Sequence, residues 1–156
     1  MKYFLSVFFA ALLFTACTNN GDEVVKDMEK PVISDGAVPS PIDCQVYKKG
    51  ETIAVRYTFT DNVELGNYNI EIHNNFDHHS HSTSAVECEF FPIKSAVNPF
   101  IYNKTFSIPQ GSKTYEAKAD IVIPTNIDSG DYHFEITVSD QAGWQQLKSV
   151  SIKIVD

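Results

Sequence analysis

Basic residues are scarce in this chain: 12 Lys and Arg stand against 20 Asp and Glu over 156 residues, a formal charge of −8. Nucleic acid and anionic lipid surfaces both reward clustered cations, so this balance excludes either as an electrostatic partner. Cysteine is limited to three residues with no CxxC pair, which removes zinc-ribbon and thioredoxin-like readings. There is no GxSxG, no glycine-rich phosphate loop and no HExxH. Without a catalytic spacing the expectation is a protein that is not an enzyme. The longest apolar run, residues 4–16, is shorter than the roughly 20 residues of a membrane-spanning helix. Hydrophobic residues nonetheless make up 43% of the chain and charged ones 21%, which is the composition of a packed core rather than of disorder.

The apolar run follows Lys2 and ends in the small residue Ala16, as the processed segment of a secreted protein does. Leu13-Phe14-Thr15-Ala16-Cys17 resembles the lipobox of bacterial lipoproteins. That resemblance implies cleavage of residues 1–16, acylation of Cys17 and attachment to a membrane through lipid chains, with more than one chain giving stable anchoring. Thr18 in place of Asp implies the outer membrane by lipoprotein sorting rules. Asp22-Glu23 is similar to the surface-export signal of Bacteroidota lipoproteins, which implies the cell surface. Residues 17–30 are polar, mixed in charge and without apolar period, and are expected to form a flexible tether. Residues 31–156 are then the one folded domain.

Within it, apolar and polar residues alternate in short runs separated by turn residues, and no stretch shows a period of 3.6. Residues 52–59 put Ile53, Val55, Tyr57 and Phe59 on one face; residues 68–73 put Tyr68, Ile70 and Ile72 there. Residues 115–123, 132–139 and 147–155 repeat the pattern with Ala117, Ile121, Tyr132, Phe134, Ile136, Val138, Val150, Ile152 and Ile154 inward. Weaker strands are expected near residues 31–34, 44–47, 86–91 and 100–107. Seven to nine short strands predict an all-β, immunoglobulin-like sandwich of two antiparallel sheets, each strand with one wet face. Ser129-Gly130-Asp131-Tyr132, opening a strand, resembles the tyrosine corner of that fold.

Setting Cys17 aside leaves Cys44 and Cys88 as an even pair in an oxidising compartment. They are able to form a disulfide. Neither sits where the immunoglobulin bridge usually runs, so the pattern by itself leaves bonded and free thiols equally open.

Four of the five histidines, His73, His78, His79 and His81, fall within nine residues, a tract of the kind that binds metal. The fifth, His133, joins them through topology. Residues 68–73 and 132–139 occupy the positions of strands C and F, antiparallel neighbours in an immunoglobulin sheet. With Ile70, Ile72, Tyr132 and Phe134 inward, parity turns His73 and His133 to the opposite face, and a register pairing those two also pairs Glu71 with Glu135. Opposed β-carbons are about 5 Å apart, near enough for two imidazoles to share an ion. Glu71, Asp77 and Glu135 are the candidate supporting carboxylates, and a nearby cation would relieve the like-charge pair of glutamates. Imidazole donors suit Zn²⁺ or Cu²⁺ rather than Ca²⁺ or Mg²⁺. The competing reading is a solvated polar loop on an open face.

Tyr68-Asn69-Ile70-Glu71-Ile72-His73, Ile123-Pro124 and Gly130-Asp131-Tyr132-His133-Phe134, with Ser139-Asp140-Gln141-Ala142-Gly143, resemble the domain of unknown function 4625 family of Bacteroidota lipoproteins. The resemblance implies one immunoglobulin-like domain behind a lipoprotein signal, with histidines concentrated at these places and no activity to carry over. Two functions from different classes follow as expectations. One is a zinc- or copper-binding surface lipoprotein that passes the ion to an outer-membrane transporter. The other is an interaction module for a protein or glycan, with Phe90, Phe91, Phe100, Tyr102 and Trp144 as candidate aromatic contacts. Asp61, Asn62, Glu64 and Asp140 gather at the other end of the sandwich, where the expectation is tight turns rather than Ca²⁺.

Overall fold

Each sustained alternation in the sequence becomes a strand in the computed structural model, which describes residues 26–34, 38–81, 83 and 86–156. Among them are eight strands and no helix: β1 (Val32–Ser34), β2 (Gln45–Lys48), β3 (Thr52–Thr60), β4 (Leu65–Asn74), β5 (Tyr102–Ser107), β6 (Thr114–Val122), β7 (Gly130–Asp140) and β8 (Gln145–Val155). They form a three-stranded sheet, β1-β3-β6, against a five-stranded sheet, β2-β8-β7-β4-β5. This is the two-sheet division of an immunoglobulin-like sandwich. Ile53, Val55, Phe59, Tyr68, Ile70, Ile72, Phe134, Ile136, Val138 and Ile154 are buried between the sheets, as their parity requires. The signal segment, Cys17 and the tether as far as residue 25 lie outside the described residues.

Three features differ from the sequence-based expectation. β2 runs parallel to β8, pairing Gln45 with Ile152 through Lys48 with Val155, so the larger sheet is not wholly antiparallel. Residues 86–91 form no strand: Val86-Glu87-Cys88-Glu89-Phe90 does alternate, but it has no buried face, since Val86 and Phe90 are exposed along with Glu87 and Glu89. The third difference bears on function. The outer face of β7 is covered rather than wet at its start, where Gly130 to Phe134 are all buried.

The cover is the segment of residues 75–101 between β4 and β5, much longer than an ordinary connection. Its descending part reaches the free edge of β8, where Thr83 Oγ1 donates to the Ser149 carbonyl at 3.2 Å and accepts from the Ser149 amide at 3.0 Å. A disulfide joins Cys44 to Cys88 and closes 44 residues of chain. The returning part is held by the Phe91 amide donating to Asp131 Oδ2 at 2.7 Å, and Lys153 donates to the other oxygen of that buried carboxylate at 2.9 Å. Phe76 packs edge-on to Tyr132 at 5.3 Å, against Gly130. Gly130 has φ +146°, and a Cβ there would stand 2.6 Å from the Phe76 ring, so the segment can seat this low only over glycine.

The tyrosine corner is formed. Tyr132 Oη donates to the Asp128 carbonyl at 2.6 Å and accepts from the Phe100 amide at 3.2 Å. Burial pushes its phenol up to about 12. The corner sets the start of β7, and with it the position of His133.

Candidate metal centre

β4 and β7 pair antiparallel in the register expected from parity: His73 stands opposite His133, and Glu71 opposite Glu135. Two imidazoles are therefore fixed by strand pairing alone. Two more come from the covering segment, which folds His79 and His81 back onto the same face. All six ring-centroid separations among His73, His79, His81 and His133 fall between 4.9 and 5.5 Å. Six nearly equal edges define a near-regular tetrahedron.

Its centre lies about 3.2 Å from each centroid. An imidazole nitrogen bound to Zn²⁺ at about 2.0–2.1 Å puts its ring centroid at that same distance, because the nitrogen is about 1.1 Å from the centroid. One ligand nitrogen of each of His73, His79 and His81 lies within 4.8 Å of the other two. His133 lies outside that set of mutually close nitrogens; its ring centroid is 5.1–5.5 Å from the other three, and its Nδ1 is buried with no hydrogen-bond partner among the described residues.

Each of the three outer rings has a carboxylate at Nδ1. For His79 it is Asp77 Oδ1 at 2.5 Å, for His73 Glu71 Oε1 at 3.3 Å, and for His81 Glu135 Oε1 at 3.8 Å. Ionised carboxylates only accept, so a proton sits on Nδ1 of His79 and its Nε2 keeps a lone pair. The hydrogen bond from His79 also holds the exposed Asp77 carboxyl below the usual carboxylate range. The two longer contacts are not aligned as hydrogen bonds, and His73 Nδ1 and Glu135 Oε1 are both buried and unpartnered. A carboxylate hydrogen-bonded behind an imidazole is the arrangement that orients metal-binding histidines, and among the described residues of the cluster His79 has it. Glu71 and Glu135, opposed in register, thereby serve different rings, and Glu71 also accepts from Asn103 at 3.1 Å.

His78, grouped with the other histidines by sequence, is not part of the cluster. It has φ +59°, its ring stacks on Phe90 at 4.7 Å, and its Nε2 lies 2.9 Å from the Phe91 carbonyl. It fastens the covering segment to itself. The face also differs from the expected open one: His133 is 2% exposed. A groove lined by His73, Asp77, His79 and Lys94 opens beside the rings. Among the aromatic residues singled out above, Phe100 is core and Tyr102 packs partly buried against it, whereas Phe90, Phe91 and, beyond the far end of β7, Trp144 remain surface-exposed.

Burial lowers the pKa of His133 to about 4, with further lowering from the neighbouring charges of His73, His79 and His81. Its folded pKa thus lies below the unfolded value near 6.5, so the neutral ring contributes stability that is complete above about pH 6.5 and is lost as pH falls toward 4. The metal-free protein is expected to lose up to about 3 kcal/mol across that window, read from denaturant midpoints. A His133→Gln variant should show a flatter slope; an unchanged slope would assign the acid sensitivity elsewhere.

Thr83 and Asp131, which hold the covering segment in place, carry no sequence signal, because their partners lie far away along the chain. Comparison with known sequences adds one finding. The sequence model of the family Domain of unknown function (DUF4625) matches residues 15–155. No curated protein matches the chain.

Proposed function

Given that the chain belongs to the domain of unknown function 4625 family, we propose that it is an outer-membrane lipoprotein that holds one transition-metal ion through His73, His79, His81 and His133. The equal spacing of the four imidazoles carries this reading. A tetrahedral nitrogen set favours Zn²⁺ over Cu²⁺, which prefers tetragonal ligands. Four protein ligands leave no open position for a reacting water, so the site stores or transfers an ion rather than hydrolysing a substrate. Cys17 anchors the domain in the outer membrane, facing the cell surface, and the groove beside His73 and His79 is the route by which an ion leaves for a transporter.

The test is metal content by mass spectrometry on the full chain, purified in detergent without a polyhistidine tag, followed by Zn²⁺ and Cu²⁺ titration. One Zn²⁺ per chain is expected, with binding removed by the His73→Ala, His133→Ala pair. Affinity weaker than about 10 μM, or untouched by those changes, would leave an interaction module as the better reading. That second reading has its own support in an apolar groove lined by Phe91, Pro92, Ile93 and Lys94, beside the exposed ring of Phe90.

A further inference from the structure

At the opposite end of the sandwich three carboxylates converge. Asp140 ends β7 and pairs in register with Leu65 at the start of β4, a full strand length from His73. Asp61 follows β3 directly. Asp27 precedes β1, in the stretch expected from sequence to belong to a flexible tether, yet it is 8% exposed. One oxygen of each carboxylate lies within 4.8 Å of the other two, and Asp140 is 5% exposed.

Turn formation accounts for half of these oxygens. Asp61 Oδ1 accepts from the amides of Val63 at 2.8 Å and Glu64 at 2.7 Å; Asp140 Oδ1 accepts from Trp144 at 2.8 Å, and Asp27 Oδ1 from Glu29 at 3.1 Å. It leaves the rest unexplained, since Oδ2 of Asp61 and Oδ2 of Asp140 are buried without a hydrogen-bond partner among the described residues. No ion pair among the described residues uses any of the three. Lys113 is close by, but its ammonium donates to the Asn62 carbonyl at 2.8 Å. Glu64 is turned away to the Gly111 amide. Burying carboxylates together is costly unless a cation joins them.

We propose that Asp27, Asp61 and Asp140 bind one Ca²⁺ ion. The donors are all oxygen and all carboxylate, with Asp27 and Asp61 outside every strand and Asp140 at the last residue of β7, placed to adjust to the 6–8 ligands and loose geometry that Ca²⁺ takes. Zn²⁺ and Cu²⁺ have no nitrogen or sulfur ligand here. The ion ties the stretch before β1 to the turns after β3 and β7, where Trp144 Nε1 already donates to the Asp27 carbonyl at 3.2 Å. Ca²⁺ thereby sets where the N-terminal segment leaves the domain. This site is independent of the histidine centre.

Trp144 is the sole tryptophan of the chain, so it can sensitise Tb³⁺ bound beside it. The full chain in detergent is expected to give saturable Tb³⁺ emission that Ca²⁺ displaces with micromolar to millimolar affinity, and Ca²⁺ should raise the thermal midpoint. Asp140→Asn keeps the bond to the Trp144 amide and should weaken Ca²⁺ at least tenfold. Asp27→Asn, outside every strand, should do the same, and it decides the matter if the first variant does not fold. His79→Ala should leave the emission unchanged. Emission that Ca²⁺ does not displace at about 10 mM, equal displacement by Mg²⁺, or full binding in Asp27→Asn would each overturn the proposal.

Discussion

Chelation of zinc from the protein at pH 7.5 is expected to lower its thermal midpoint by about 10 °C. A ligand that binds only the folded state adds RT ln(1 + [L]/Kd), about 4 kcal/mol when the free ion exceeds Kd a thousandfold. For a chain of this size each kcal/mol moves the midpoint by about 2–4 °C. The coupling is strong here because the rings come from two distant parts of the chain: His73 on β4 with His79 and His81 on the covering segment just after it, and His133 on β7. An ion at the centre of the four cross-links the two. Two single substitutions separate this from nonspecific binding to a histidine-rich loop. His79→Ala should abolish most of the zinc-dependent shift, and the half-buried ring lies outside every strand, so its removal leaves the core between the sheets intact. His78→Ala should leave the shift intact, since His78 faces Phe90 and Phe91 instead of the cluster. Equal losses in the two variants, measured by scanning calorimetry with and without chelator, would show that the loop binds zinc without the geometry described.

Opening the Cys44–Cys88 bridge is expected to cost nearly as much. In the chain-entropy account, a bridge closing 44 residues constrains the unfolded state by about 4 kcal/mol at 25 °C. A second effect falls on the site. Cys88 lies within the covering segment, between the histidines it carries and the Phe91 amide that Asp131 holds, so the bridge pins the middle of the cover to the edge of the larger sheet. Once it is open, two of the four imidazoles ride on a segment held mainly by Thr83 at the edge of β8 and by Asp131. The Cys44→Ser, Cys88→Ser protein should therefore lose about 3–4 kcal/mol of stability and bind zinc at least tenfold more weakly, as read by chemical denaturation and by competition with a chromophoric chelator. A stability loss with unchanged zinc affinity would mean that the cover holds its shape without the covalent tie.

Strand positions and the pairing of His73 with His133 were legible in the sequence, since both follow from a repeat of two. Once Ile70 and Ile72 face the core, Glu71 and His73 must face away, and the same holds for His133 beside Tyr132 and Phe134. Sheet neighbours then place the two histidines opposite each other. The tyrosine corner was legible for a similar reason, being a contact over four residues. The path of residues 75–101 was not. An irregular segment has no period, and nothing local distinguishes His78 from His79 when one turns outward and the other into the cluster. What decides it is a set of single long-range contacts, Thr83 with Ser149, Phe91 with Asp131 and Cys88 with Cys44, each joining residues far apart in the chain. The burial of His133, the choice of four imidazoles out of five and the convergence of Asp27 with Asp61 and Asp140 all depend on such contacts. The sequence by itself determined the sandwich and one edge of the histidine tetrahedron, because strand pattern is local and repeating; the other two vertices were decided only by tertiary structure, because the cover's path is neither.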